Sequence, residues 1–160
     1  MSGFASAREH GESIPEPRRL SPPKLQSAEE PSVSRARRAV VLIVDDSRDA
    51  RELYGLYLSH QGFSVKLASN GVEAVNAAIA LRPDVIVMDL SMPYLDGIAA
   101  TQRLKAHPWT KNIPVILLTG YPYKAIHQGA LEGGVDVFLT KPCLPEDLER
   151  HVRDVLEPSS

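Results

Sequence analysis

The chain has 160 residues, of which 43% are apolar, and this length and composition fit a single globular domain with one core. Its formal net charge of −2 excludes the concentrated positive field on which nucleic-acid binding normally depends, and a single cysteine, Cys143, excludes an internal disulfide. No apolar run approaches the roughly 18 residues of a membrane-spanning helix, and no secretion signal begins the chain. We therefore expect a soluble, cytoplasmic protein that binds neither membrane nor nucleic acid.

The first 38 residues differ in composition from the rest of the chain. Five prolines lie there among serine, glutamate and arginine, with almost no apolar periodicity that could be buried. We predict a disordered tail over residues 1–38, a folded domain over residues 39–157 and a C-terminal tail over residues 158–160. The basic run from Arg35 to Arg38 leaves two interpretations open, a docking patch for an acidic partner or a solvated flank.

Apolar runs and helical patterns alternate along the folded part. The predicted strands cover residues 40–44, 64–68, 85–88, 115–118 and 135–139, and the predicted helices cover residues 48–60, 72–82, 97–107, 123–132 and 145–156. Strands that are joined by single crossover helices must be parallel and covered on both faces. The sequence therefore predicts a doubly wound α/β domain with a five-stranded parallel sheet.

Side-chain spacing predicts how the first two helices begin and pack. Ser47 is a predicted N-cap of the first helix. The i, i+4 pattern predicts that Leu53, Tyr54, Tyr57 and Leu58 lie on the buried face of that helix. The same kind of pattern predicts that Val72 of the second helix faces the core. No glycine loop follows the first strand, so a nucleotide-binding site of the Rossmann type is not expected.

Polar residues stand at the carboxyl ends of four strands, where ligands bind in parallel α/β sheets. They are Asp45, Asp46, Asp89, Thr119 and Lys141. Clustered carboxylates repel one another unless a cation neutralises them, and an oxygen-only ligand set suits Mg²⁺. A cation, an ammonium and a hydroxyl that converge on one carboxylate indicate a site for an aspartyl phosphate.

These motifs resemble those of the receiver domain of bacterial two-component response regulators, over residues 40 to about 156. The resemblance rests on the pair Asp45-Asp46, on Asp89-Leu90-Ser91-Met92-Pro93 followed by Asp96-Gly97, on Thr119-Gly120, and on Phe138 three residues before Lys141-Pro142. It implies a flavodoxin-like sheet with strand order 2-1-3-4-5.

The resemblance also implies a role for each site residue. Asp89 would accept a phosphoryl group from the phosphohistidine of a sensor histidine kinase or a histidine phosphotransfer protein. Asp46 would bind Mg²⁺ directly and Asp45 mostly through water, with Asp89 and the backbone carbonyl of Ser91 completing the protein ligands. Lys141 and Thr119 would contact the phosphoryl oxygens, and the Lys141–Pro142 peptide bond would be cis.

The same resemblance implies a switch. Phosphorylation would draw the hydroxyl of Thr119 towards the phosphoryl group and let Phe138 rotate inward, although Phe138 could also be a plain core aromatic. The face formed by the fourth helix, the fifth strand and the last helix would then bind a downstream protein. A homodimer is possible.

Three functional alternatives remain open. Because the sequence stops shortly after the last helix, we expect a stand-alone receiver that catalyses only its own phosphorylation and dephosphorylation, either as an output switch or as a phosphorelay intermediate. A phosphorylation-independent scaffold is a second possibility. An aspartate-nucleophile phosphatase is a third, although Ser91 occupies the position where those enzymes carry their second aspartate.

Overall fold

The computed structural model describes residues 37–127 and 129–157. The predicted N-terminal tail, apart from Arg37 and Arg38, and the predicted C-terminal tail lie outside the described residues. The proposed boundaries of the three segments therefore stay predictions.

Five strands and five helices alternate along the described chain. The strands are β1 (Val40–Val44), β2 (Ser64–Ala68), β3 (Val85–Asp89), β4 (Val115–Thr119) and β5 (Val137–Thr140). The helices are α1 (Arg48–His60), α2 (Gly71–Leu81), α3 (Gly97–Ala106), α4 (Pro122–His127) and α5 (Pro145–Leu156). All neighbouring strands pair in parallel, in the order β2-β1-β3-β4-β5. This confirms the predicted doubly wound α/β fold and its strand order.

Helices cover both faces of the sheet. On one face, Tyr54 and Leu58 of α1 and Leu148 of α5 pack against alternate residues of the central strands. On the other face, α2 and α3 pack through small residues and Leu104, and α4 packs through Ala125. Strands β3 and β4 are buried at every position, as expected for strands covered on both sides.

Side chains at the carboxyl edge of the sheet begin the first three helices. Ser47 Oγ accepts a hydrogen bond from the backbone N–H of Ala50, as predicted. Asn70 caps α2 and Asp96 caps α3 in the same way. These caps fix the residue at which each helix begins after its loop at the carboxyl edge of the sheet.

Some sequence predictions of detail were wrong. Leu53 is 56% exposed because the buried stripe of α1 runs through Tyr54 and Leu58, and Val72 is exposed because α2 turns Ala74 and Ala78 to the sheet. Helix α4 ends at His127 rather than near residue 132, and β5 begins at Val137 rather than at residue 135.

A glycine two residues after α4 accounts for the early end of this helix. Gly129 has a φ of 81°, and this left-handed conformation cannot continue an α-helix. The chain instead reaches β5 through turns. Among the described helices, none combines the length and the apolar composition that a membrane crossing requires.

Candidate functional site

Three carboxylates meet at the carboxyl edge of the sheet. Asp45 follows β1, and Asp89 is the last residue of β3, which lies beside β1 with Val44 aligned to Met88. Asp46 is exposed at the mouth of the group, whereas Asp45 and Asp89 are only 2% and 6% exposed. One oxygen from each of the three carboxylates lies within 4.8 Å of the others.

The buried carboxylate of Asp45 is held in place from two sides. Its Oδ1 accepts a hydrogen bond of 2.9 Å from the backbone N–H of Ser47. Its backbone carbonyl accepts one of 2.8 Å from Arg51 Nη1, and its backbone N–H donates to the carbonyl of Ala68. These three hydrogen bonds hold Asp45 in the acidic group.

The other oxygen of Asp45 has no hydrogen bond. Asp45 Oδ2 is buried, and its nearest ion-pair partner is the ammonium of Lys141 at 3.5 Å. At 3.5 Å the ammonium is beyond the usual range of an N–H···O hydrogen bond, so it compensates only part of the cost of burying this oxygen, and a second cation would compensate the rest. Three clustered carboxylates, one of them with such an oxygen, fit a divalent cation with oxygen ligands, for which Mg²⁺ is suited.

Lys141 enters the group from the end of β5. Its backbone N–H donates to the carbonyl of Thr119, and its ammonium lies 2.7 Å from Asp89 Oδ1. Burial lowers the pKa of Lys141, but the hydrogen bond to Asp89 and the charges of Asp89 and Asp45 outweigh burial and leave the pKa above its usual range. Lys141 is therefore a fixed positive charge. The Lys141–Pro142 peptide bond is cis.

Burial raises the pKa of Asp89. The hydrogen bond and the charge of Lys141 oppose this effect, while the negative charges of Asp45 and Asp46 add to it. The net direction is upward, so the single ammonium does not fully compensate Asp89 for burial and for its two acidic neighbours. Additional positive charge at this site would favour the ionised form, which is the nucleophilic one.

Thr119 ends β4 beside the acidic group. Leu118 is aligned with Asp89 across the β3–β4 pair, and Thr119 is aligned with Thr140 across the β4–β5 pair. The side-chain oxygen of Thr119 is buried and accepts a hydrogen bond of 2.9 Å from the backbone N–H of Tyr121. The hydroxyl therefore links the end of β4 to the loop that leads into α4.

Ser91 lies on the β3–α3 connection two residues after Asp89, and Phe138 lies in β5. Ser91 lines a cleft of about 580 Å³ together with Asp46 and Lys124. Phe138 is half-buried and packs against an apolar cluster that contains residues of α3, β4 and α4. The structure thus brings together the three aspartates and Lys141. It places Thr119 at the end of the strand next to β3, Ser91 in the cleft that Asp46 also lines, and Phe138 in the apolar cluster beside α4.

Sequence reasoning missed three residues that shape the site. Arg51 and Tyr54 bind backbone carbonyls, Asp45 O and Cys143 O respectively, and a backbone acceptor leaves no signal in the side-chain pattern. Gly97 was noted only within its motif, yet a Cβ at this position would lie 2.6 Å from the backbone oxygen of Asp89. In the sequence, the Asp96-Gly97 pair could have indicated this close approach, because it places a helix cap directly before a residue without a side chain.

Comparisons with known proteins agree with this geometry. The family model of the response regulator receiver domain matches residues 41–153. Response regulator MprA of Mycobacterium sp. (strain KMS) is 36% identical over 120 residues, which are 75% of this chain and 51% of that protein. The chain thus spans about half the length of the curated relatives it matches.

Two solved receiver structures illustrate the similarity in fold. Chemotaxis protein CheY4 of Vibrio cholerae superposes with a TM-score of 0.70 and 32% identity, covering 74% of this chain and 99% of that one. The receiver domain of sensor histidine kinase PA1611 from Pseudomonas aeruginosa PAO1 superposes with a TM-score of 0.69 and 28% identity, covering 74% of this chain and 98% of that one. That structure has a magnesium ion coordinated in its active site cleft. Fold, site and family match lead to one conclusion: the chain belongs to the response regulator receiver domain family.

Proposed function

We propose that this chain accepts a phosphoryl group on Asp89 from the phosphohistidine of a sensor histidine kinase or a histidine phosphotransfer protein, and that phosphorylation changes its binding to a downstream protein. The observation that carries the proposal is the contact between Lys141 and Asp89, at 2.7 Å, beside two further carboxylates within 4.8 Å. Receiver domains are signalling modules rather than classical enzymes. Accordingly, the proposed reaction is a single transfer to the protein itself.

The chemistry of the transfer follows from the residues around Asp89. A carboxylate oxygen of Asp89 attacks phosphorus, the P–N bond to the donor imidazole breaks, and the imidazole nitrogen keeps the bonding electrons and takes up a proton. The phosphoryl oxygens bring negative charge into an already acidic group. Lys141, which is held by Asp89 before the reaction, is the side chain placed to follow those oxygens.

A divalent cation would complete this charge balance. Asp45, Asp46 and Asp89 are the side chains that would hold Mg²⁺, with the backbone carbonyl of Ser91 as the fourth protein ligand. The bound ion would supply positive charge that favours ionised Asp89 and neutralises the incoming phosphoryl oxygens. The oxygen of Asp45 that has no hydrogen bond supports this assignment.

The output surface that we propose is the face of α4, β5 and α5. Thr119 is joined to Tyr121 at the start of the loop to α4, so a movement of its hydroxyl towards Asp89 would release that loop. Phe138 packs against the cluster that includes Ala125 of α4. Two large apolar side chains of α4, Tyr123 and Ile126, are exposed, and they are suited to contact a partner protein.

Intact-mass measurement tests the transfer. The full chain is incubated with Mg²⁺ and a small-molecule phosphodonor, in parallel with Asp89→Asn and with a metal-free sample. We expect the mass of one phosphoryl group on the wild type and none on either control. Failure of the folded wild type to gain this mass, from small donors and from a panel of histidine kinases, would contradict the proposal and favour the phosphorylation-independent scaffold.

A further inference from the structure

Helix α1 carries two tyrosines whose hydroxyls bind the last part of the chain. The hydroxyl of Tyr54 donates to the backbone carbonyl of Cys143 at 2.7 Å. One turn later, the hydroxyl of Tyr57 donates to Glu149 Oε1 at 3.1 Å. Both bonds join α1 to the C-terminal region, but the first ends on the β5–α5 loop and the second ends within α5.

The β5–α5 loop is the segment that carries Lys141. At its start the backbone N–H of Lys141 donates to the carbonyl of Thr119, which fixes the loop to β4. Cys143 follows Lys141 by two residues, and its carbonyl is fixed to α1 by Tyr54. A shift of the Cys143 carbonyl would be transmitted over two residues to Lys141, whose ammonium must meet Asp89 at 2.7 Å.

Tyr54 is suited to act as a rigid donor. Tyr54 is 6% exposed and belongs to the core cluster with Leu58 and Leu148, so the direction of its hydroxyl is set by packing. Burial raises the pKa of Tyr54, and the nearby carboxylates contribute to the same direction, against the opposing charge of Lys141. The hydroxyl therefore keeps its proton at neutral pH and remains a donor to Cys143.

We propose that Tyr54 is a positioning residue for phosphoryl transfer: its hydrogen bond to the Cys143 carbonyl fixes the β5–α5 loop so that the ammonium of Lys141 meets Asp89. This inference rests on the proposed function, since it concerns the rate at which Asp89 is phosphorylated. Tyr54 does not touch the reacting atoms. Its effect is exerted through Lys141.

The test compares Tyr54→Phe with Tyr57→Phe in the full chain. Each variant loses one hydroxyl from the same helix, and each keeps the ring that packs against its neighbours. The rate of phosphorylation by a small-molecule phosphodonor with Mg²⁺ is measured by intact mass. We expect Tyr54→Phe to be slower than the wild type by about fivefold, the factor that corresponds to one typical hydrogen bond, and Tyr57→Phe to match the wild type.

Amide hydrogen exchange supplies a readout that needs no phosphorylation. In Tyr54→Phe the amide of Lys141 should exchange faster, while the amide of Leu42 in the central strand should be unchanged, because the loop opens locally and the core does not. Tyr57→Phe should leave both amides unchanged. A loss of overall stability alone would instead speed both amides.

The outcomes separate the inference from the proposed function. Equal phosphorylation rates of Tyr54→Phe and the wild type, equal slowing by Tyr57→Phe, or unchanged exchange at Lys141 would each overturn the role of Tyr54. A wild type that takes up no phosphoryl group would overturn the proposed function. In that case, exchange at Lys141 still decides whether Tyr54 fixes the loop.

Discussion

The ammonium of Lys141 lies 2.7 Å from Asp89 Oδ1 and 3.5 Å from Asp45 Oδ2, so one cation bridges the two buried carboxylates of the site. It arrives from the strand at the far edge of the sheet, two positions from β3 in the strand order. The position of this charge therefore depends on how β4 and β5 pack, and not only on the loop that carries Asp89.

Replacement of Lys141 by methionine should slow phosphorylation of Asp89. The change removes a positive charge that opposes the upward shift of the Asp89 pKa, and it removes the cation that we propose contacts the phosphoryl oxygens. We expect a rate loss on the order of a hundredfold, as for removal of one charge-stabilising donor from an active site. Phosphorylation rates by intact mass check this, with Lys111→Met, an exposed lysine in the α3–β4 connection, as the control. An equal loss in both variants would contradict the role of Lys141.

Magnesium should stabilise the fold through the acidic group. A ligand that binds only the folded state at ten times its Kd adds about 1.4 kcal/mol to the free energy of unfolding. We expect a rise in Tm with Mg²⁺ in the wild type and little rise in Asp45→Asn or Asp46→Asn. Asp96→Asn is the matched control, because Asn caps a helix as well as Asp does and the α3 cap is retained. Loss of the Mg²⁺ effect in this control would show that the response does not report on the cluster.

The metal-free protein should gain stability from Asp89→Asn at neutral pH. Because burial raises the pKa of Asp89 in the folded state, the folded protein binds the proton more tightly than the unfolded chain does. This carboxyl therefore stabilises the fold at low pH, and its contribution is lost as pH rises through the raised pKa. The neutral amide avoids that loss.

Thermal unfolding in chelator from pH 4 to pH 8 measures this effect. The Tm of Asp89→Asn should exceed that of the wild type near neutral pH, and the two values should converge as pH falls and the wild-type carboxyl becomes protonated. A difference that stays constant across the range would mean that Asp89 is not the responsible group.

Thr119→Val should separate phosphorylation from the conformational response. Valine keeps the volume of threonine but removes the hydroxyl, which is both the acceptor for Tyr121 and the proposed contact for the phosphoryl group. Beryllium fluoride with Mg²⁺ mimics the phosphorylated aspartate, and backbone amide NMR reports where the structure changes. We expect shifts across α4, β5 and α5 in the wild type and at least a twofold smaller response in Thr119→Val.

Thr110→Val is the control for this experiment. Thr110 follows α3 and is also buried. Its hydroxyl donates to the carbonyl of Leu104 within that helix. Its removal costs about 1 kcal/mol of stability, the value of one hydrogen bond, without a link to the site. A full response in Thr119→Val would refute the switch role of its hydroxyl.

Gly97→Ala should disturb the backbone of Asp89. The added methyl group would lie 2.6 Å from the oxygen of Asp89 and 2.7 Å from Leu117 Cδ1, both too close for a carbon atom. Overpacking of this kind costs about 1–3 kcal/mol. Gly120→Ala is the matched control, since nothing lies within 4 Å of its added Cβ. Chemical denaturation of both variants checks the difference, and equal stabilities would contradict the contact.

The sequence predicts β1, β3 and β4 well because each is a short apolar run that gives way to a polar side chain at its carboxyl end. The runs ending at Asp45 and Asp89 also locate the acidic group, since the carboxyl ends of parallel strands share an edge. The strand order came from the resemblance and not from the runs, because apolar patterns do not say which strands are neighbours. The family and the fold are thus confirmed, while the individual roles of Asp89, Lys141, Thr119 and Phe138 stay predictions.

Two features that the sequence does not reveal, the hydrogen bond of Tyr54 and the outward orientation of Leu53, share one physical cause. The tyrosine at position 54 looks like an ordinary member of an apolar stripe, and only the structure shows that its hydroxyl reaches a carbonyl 89 residues away. Leu53 fits the same stripe by spacing but turns outward, because the helix rotates to bring Tyr54 and Leu58 to the sheet. Both cases depend on tertiary packing, which the local pattern does not encode.

The short length of α4 bears on how much free energy is needed to change its conformation. The helix has six residues, and among its residues with described side chains only Ala125 is buried. Its backbone is tied to the site through the hydrogen bond from Ala125 N–H to the Tyr121 carbonyl, next to the bond that Tyr121 donates to Thr119. A segment with so small an apolar contact opens at a low free energy. Under the proposed function, a modest energetic bias from phosphorylation of Asp89 would be sufficient to shift the population of α4 conformations, while the central strands, buried on both faces, would stay in place.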